Sequence, residues 1–257
     1  MSALTAPIHT TPVVTVRNLT KSYGTKEVLR GIDCDIYAGE IFGILGPSGA
    51  GKSTTVECLA GLRTQDSGEI RVLGLNPVTD GKALPTILGI QFQDANLPDS
   101  ITVLEVLTMF ASCYDTPADV EYLISMLGLE EKRKAPFGSL SGGQKQRVSI
   151  ALALVGNPRV VILDELTTGL DPVTRRQTWE LVKNVRDSGV TVILVSHLMD
   201  EVEYLADRLV ILDQGVIQAT GSPAELIAAT DGASNLEDVF FARTSALDHR
   251  CLVGNAK

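Results

Sequence analysis

Gly46-Pro47-Ser48-Gly49-Ala50-Gly51-Lys52-Ser53 matches the spacing G-x-x-x-x-G-K-[ST] at every position. Immediately before it, Ile41-Phe42-Gly43-Ile44-Leu45 is a short apolar run of the length a buried parallel strand needs, and residues 54–62 after it carry good helix formers. A strand, a glycine-rich turn and a helix in that order bring successive backbone N–H groups and the positive end of the helix to one point, a receptor for phosphate. The residues assigned to it are Gly46, Pro47, Ser48, Gly49, Ala50, Gly51, Lys52, Ser53 and Thr54. Lys52 is expected to reach the β- and γ-phosphates of a nucleotide, and the Ser53 hydroxyl to hold Mg²⁺.

The 257 residues, 44% of them hydrophobic, suffice for a sizeable core in one large domain or two small ones. No apolar run approaches the roughly 18 residues of a membrane-spanning helix, and the first 12 residues lack the charged and apolar regions of a signal peptide. A globular chain in the cytoplasm is expected. The net charge of −9 opposes broad attraction to nucleic acid or to an anionic membrane surface, so no nucleic-acid partner is expected. A membrane would have to be reached through a protein. Cys34, Cys58, Cys113 and Cys251 are scattered with no C-x-x-C pair, and each reads as a small core filler.

Residues 1–12, rich in Thr and Pro, predict a disordered lead-in; 13–242 are read as one domain and 243–257 as a tail. Val13 opens the first strand, and Lys21-Ser22-Tyr23-Gly24 reads as a polar turn. Ile32, Cys34 and Ile36 alternate with Asp33 and Asp35, the pattern of a half-exposed antiparallel strand. Residues 69–73 and 87–93 read as further strands between turn signals. The composition then changes. Val103, Val106, Leu107 and Phe110, followed by Val120, Leu123, Ile124 and Leu127, repeat at helical spacing and predict a helical insert over about 94–157. Its third helix should start at Ser141 and stop at Gly156-Asn157-Pro158. From Arg159, strands (160–163, 190–195) and helices (172–187, 198–206) alternate again, and a hairpin around Asp213-Gln214-Gly215 and short helices from Pro223 and Leu236 close the chain. The expected fold is α/β: a P-loop nucleotide-hydrolase core with a mostly parallel sheet, an N-terminal antiparallel β subdomain and an inserted α-helical subdomain.

Val160-Val161-Ile162-Leu163-Asp164-Glu165 is four apolar residues followed by two acids. A buried strand of this kind delivers Asp164 to the carboxyl edge of the sheet, where it can hold Mg²⁺ while Glu165 polarises the water that attacks a γ-phosphate. Taken alone, the two acids are equally an ordinary exposed strand end. Upstream lies Leu140-Ser141-Gly142-Gly143-Gln144, in which the Ser141 hydroxyl, the N–H groups of Gly142 and Gly143 and the helix dipole make a second phosphate receptor.

That pentapeptide is the signature of the ATP-binding cassette family, and the chain resembles that family over residues 13 to about 220. The resemblance implies ATP and Mg²⁺ as ligands, with Ser53, Gln93 and Asp164 toward the metal. It implies a second copy of the chain (or a homologous ATPase subunit) in an ATP sandwich, with Ser141, Gly142, Gly143 and Gln144 of one copy facing the nucleotide held by the other. Tyr23 matches the aromatic that stacks on adenine, and Gln93 the residue that senses Mg²⁺ and the attacking water. Asp171, in Gly169-Leu170-Asp171, matches the inter-subunit contact, and His197 the switch histidine that positions the catalytic Glu165. Leu166 departs from the family, which has Pro after the catalytic Glu; the change frees φ and restores an N–H donor. Residues 99–107 and Leu236-Glu237-Asp238-Val239-Phe240 are similar to the ATPase subunits of ABC-2-type exporters. This implies peripheral attachment to the cell membrane through a separate transmembrane permease, with the helix from Thr102 on the docking side. The alternative is a soluble, non-transport cassette ATPase, such as the type serving iron–sulfur cluster assembly.

Overall fold

The computed structural model describes residues 11–91 and 97–244; Gln93 and Cys251 lie outside them. Among the described residues the strands are β1 (Pro12–Tyr23), β2 (Lys26–Tyr37), β3 (Ile41–Leu45), β4 (Ser67–Val72), β5 (Leu88–Gln91), β6 (Val160–Asp164), β7 (Thr191–Ser196), β8 (Arg208–Asp213) and β9 (Val216–Gly221). The helices are α1 (Lys52–Leu59), α2 (Val103–Ala111), α3 (Val120–Met126), α4 (Gly142–Leu154), α5 (Pro172–Asp187), α6 (Met199–Leu205), α7 (Pro223–Ala228) and α8 (Leu236–Arg243).

Two sheets result. One is antiparallel, in the order β2-β1-β4; the other runs β5-β6-β7-β3-β8-β9 and is parallel except for β9, which folds back on β8. The parallel strands are apolar in their middles, with polar residues only at their ends, because both their faces are covered. Ile41, Leu45, Val161, Leu163, Val192 and Leu194 pack into the core beneath the helices, whereas Phe42, Ile44, Val160, Ile162, Ile193 and Val195 pack toward α1 and the antiparallel sheet. The helical insert joins the first of these cores through Val103, Val106, Leu107, Leu123, Ile124 and Val148. Thr102 starts α2 with a capping box, its hydroxyl accepting from the Glu105 N–H while the Glu105 carboxylate accepts from the Thr102 N–H.

Three expectations need correction. Pro12, assigned to the lead-in, is the first residue of β1. Lys21, Ser22 and Tyr23 are strand, not turn: the ladder runs to the pair Tyr23–Lys26, and a two-residue turn with Gly24 at φ 60 makes the reversal. Their polarity reflects a half-exposed sheet, on which Lys21 pairs with Asp66 at 2.6 Å. Cys113, read as core filler, is exposed, because the apolar stripe of α2 ends at Ala111. Cys58 is buried, and burial pushes its thiol up to about 11.

Candidate active site

β6, β7 and β3 are adjacent and parallel, with Leu45 paired to Ser196 and Asp164 to Val195. The loop after β3, the acids after β6 and His197 after β7 therefore leave the sheet along one edge, where ligands of open α/β sheets sit. Pairing three strands in parallel is what brings residues 52, 164–165 and 197 together.

Two of the loop glycines are required by space and backbone angle. A Cβ on Gly46 would lie 2.3 Å from the Leu212 carbonyl oxygen, and Gly51 has φ 110 with the Leu29 side chain 2.7 Å from where its Cβ would be. Gly51 starts α1, so its neighbours' N–H groups and the helix end face the loop. The Lys52 ammonium donates to the carbonyls of Gly46 at 2.7 Å and Pro47 at 3.0 Å, wrapping the loop around its own cation. Lys52 is almost buried, and loss of water lowers its pKa, with the charges of Glu165 and Asp164 acting in the opposite sense. Burial raises the pKa of Asp164, and the neighbouring Glu165 charge raises it further against Lys52. Lys52 and Asp164 thus share a poorly hydrated space beside the charge of Glu165. The Ser53 hydroxyl and the Asp164 carboxylate are hard oxygen donors beside this excess negative charge, which fits Mg²⁺.

A cavity of about 180 Å³ opens on this loop, lined by Gly49, Gly51, Lys52, Ser53 and Thr54, and also by Lys26 and Val28. Lys26 was missed in the sequence because its place depends on the hairpin reaching Tyr23; the turn then sets it opposite that residue. Tyr23 is exposed at the same end, with the guanidinium of Arg63 5.2 Å from its ring centroid. Lys26→Ala is expected to weaken ATP binding about two- to fivefold, the scale of an exposed ion pair. A titration by fluorescent nucleotide checks this, and the difference should shrink as salt is added.

Glu165 has φ 48, a left-handed conformation that costs a non-glycine residue about 1–3 kcal/mol. Its N–H donates to the Val195 carbonyl at 2.9 Å, and its Oε1 lies 3.2 Å from Nδ1 of His197. Both side chains are partly open to solvent. The turn bearing His197 is held by Ser196, whose hydroxyl accepts from the Leu198 N–H at 3.0 Å. A second residue escaped the sequence reading: the buried Gln91 side chain accepts from the Asp164 N–H at 3.2 Å, fastening the end of β6. A lone Gln at the end of a strand carries no signal of this. Leu166 packs into the core and is 1% exposed, so burial constrains the position where the family's Pro would restrict φ.

Ser141 caps α4 as expected, and Gln144 completes a capping box: the Ser141 hydroxyl accepts from the Gln144 N–H at 3.3 Å, and the Gln144 side chain accepts from the Ser141 N–H at 3.0 Å. Ser141 and Gly142 are exposed. Gly143 has a packing reason of its own, since a Cβ there would lie 2.3 Å from the Thr174 methyl where α4 crosses α5. Asp171 caps α5, accepting from the N–H groups of Val173 and Thr174 at 3.0 Å, and hydrogen bonds from Thr174 hold its carboxyl below the usual range. No hydrogen bond or ion pair joins residues 141–144 to residues 46–54 among the described residues. The helix start at 141–144 and the loop at 46–54 are therefore not joined within one chain by any such bond.

The family model described as ABC transporter matches residues 29–168. The Nod factor export ATP-binding protein I of Rhizobium meliloti is 39% identical over 232 residues, covering 88% of this chain and 69% of that one. The linearmycin resistance ATP-binding protein LnrL of Bacillus subtilis is 35% identical over 244 residues, covering 90% and 78%. Among solved structures, the dimeric ATP-binding cassette MJ0796 in a post-hydrolysis state with ADP and Pi matches with a TM-score of 0.71 at 28% identity, over 81% of this chain and 98% of that one. The phosphate loop at 46–53, Ser141 to Gln144 and the strand-end acids at 164–165 lie within the matched residues, with His197 beyond them: the chain belongs to the ABC transporter family, as an ATP-binding subunit.

Proposed function

We propose that two copies of this chain enclose two ATP molecules and hydrolyse them with Mg²⁺ to drive export through a separate permease. The observation that carries this is the single sheet edge holding Lys52, Asp164, Glu165 and His197, with the Glu165 carboxylate 3.2 Å from the histidine ring. Lys52 and the N–H groups around Gly49 and Gly51 bind the phosphate chain, and Tyr23 stacks on adenine. Ser53, Asp164 and Gln93 would hold Mg²⁺, which would supply positive charge to offset the charge that develops on the phosphates. Glu165 takes the proton of the attacking water, and His197 orients Glu165 through their contact. Ser141, Gly142, Gly143 and Gln144 of a second copy complete the phosphate shell, and Asp171 lies at that interface. The dimeric cassette with ADP and Pi, similar in fold and at 28% identity, supports the arrangement.

Export is supported by the relatives, one named for Nod factor export and one for linearmycin resistance. These do not favour the non-transport cassette. No helix among the described residues is long and apolar enough to cross a membrane. A largely apolar cleft of about 560 Å³ between core and insert, lined by Leu62, Leu84, Gln91, Leu97, Phe110 and Tyr114, is the place for its coupling segment. Closing the ATP sandwich then moves this cleft and shifts the permease between states.

Phosphate release, measured against protein concentration, tests the assembly. Turnover per chain should rise with concentration and saturate, vanish on chelation of Mg²⁺, and be lost in Ser141→Arg, which leaves nucleotide binding by the single chain intact. Full turnover by a chain that never self-associates would refute it. Co-purification of an integral membrane protein from detergent extract tests the permease.

A further inference from the structure

The segment from Glu165 to Asp171 must hold a strained backbone at its start and cap a helix at its end, yet Leu166 leaves it without the rigid φ of a proline. Its fixed point is Thr167. That residue is fully buried, and its hydroxyl donates to Oε1 of Glu201 at 2.6 Å. The indole N–H of Trp179, on α5, donates to the same oxygen at 3.1 Å. Glu201 is itself 0% exposed and sits in the first turn of α6, the helix that begins two residues after His197. Its other oxygen, Oε2, is buried with no hydrogen-bond partner among the described residues, so both donors meet at Oε1.

We infer that Glu201 is a positioning residue for hydrolysis: one buried carboxylate oxygen joins the Glu165–Asp171 segment to α5 and to the helix that follows His197. The inference rests on the roles given above to Glu165 and His197. Thr167 is two residues from the base, and Glu201 is four from the histidine. The Thr167–Glu201 bond therefore ties together the two strand ends whose side chains must stay 3.2 Å apart. A buried acceptor with only two donors and no cation is costly to leave half satisfied, so the three elements are held as a unit. A bond of this kind governs the geometry of the reacting groups, and the Glu201 side chain has no hydrogen bond to the phosphate loop among the described residues.

The test compares Thr167→Val, which removes the donor at nearly constant shape, with Thr167→Ser and Glu201→Gln, which keep donor and acceptor respectively. Thr167→Val should lower kcat for ATP about tenfold to a hundredfold, the scale of a small misplacement of reacting groups, with KM and nucleotide affinity within about threefold of wild type. Thr167→Ser and Glu201→Gln should recover most of kcat. An unchanged kcat in Thr167→Val, a loss that Thr167→Ser fails to recover, or a fall in kcat matched by an equal rise in KM would each overturn the inference. Should Thr167→Val not fold, Trp179→Phe removes the other donor to the same oxygen and is read in the same way, with an unaltered kcat counting against it. Glu165→Gln is run alongside: wild-type turnover there refutes the site, whereas a dead Glu165→Gln beside an inert Thr167→Val refutes only the coupling through Glu201.

Discussion

Glu165→Gln should bind ATP with near-native affinity and hydrolyse it at least about a hundredfold more slowly, the lower range for losing a general base. The amide is isosteric, so the left-handed backbone at φ 48 and the N–H bond to Val195 are retained. What disappears is the oxygen that can take a proton from water. Because ATP persists in the completed sandwich, the variant should accumulate as dimers on adding ATP and Mg²⁺, visible by light scattering, and should return to the starting state when the nucleotide is removed. Removing the carboxylate also removes one of the two charges facing Lys52 and one cause of the raised Asp164 pKa, so the variant should be no less stable than wild type to heat. Turnover at the wild-type rate would exclude Glu165 as the base.

Lys52→Ala should lose nucleotide binding altogether. Two charge-assisted hydrogen bonds to phosphate at about 1.5–3 kcal/mol each correspond to at least about a hundredfold in Kd. The structure adds a second cost. The Lys52 ammonium holds the carbonyls of Gly46 and Pro47, so its removal leaves the loop without the donor that shapes it. It also leaves Asp164 and Glu165 facing each other uncompensated, which should raise the Asp164 pKa further above its ordinary 3.8. A group whose folded pKa is raised disfavours the fold above that pKa, so the variant should regain part of its lost thermal stability as the pH falls from neutral toward the carboxylate range. Lys26, at the same cavity, cannot replace Lys52, because it stands on the β hairpin rather than at the start of α1. Tight ATP binding by Lys52→Ala would contradict the loop assignment.

The elements that the sequence made legible are those with strong local chemistry. The phosphate loop combines fixed glycines with a helix start, α4 and α5 carry their own caps at Ser141 and Asp171, and the parallel strands are unbroken apolar runs. The α5 limits, Pro172–Asp187, agree with the reading because Pro at the first turn and Asp before it both mark a helix start. The hairpin end at Tyr23 was misread, since polar residues on a half-exposed strand look like a turn until the partner strand is known. Gln93 lies outside the described residues and is assigned by resemblance alone.

The sequence by itself determined the nucleotide-binding chemistry: motif spacing within each segment sets a glycine loop before a helix, a strand-end acid pair and a Ser-capped helix start, because those features depend on neighbours a few residues apart. The pairing of His197 with Glu165 was expected from the family resemblance, but the other distant meetings were decided only by the tertiary structure. Strand order sets β7 between β3 and β6 and β5 beside β6, so His197 meets Glu165, Gln91 reaches Asp164, and Thr167 and Trp179 find one oxygen of Glu201. Such meetings arise from pairing and burial across many residues of chain, where no local pattern records them.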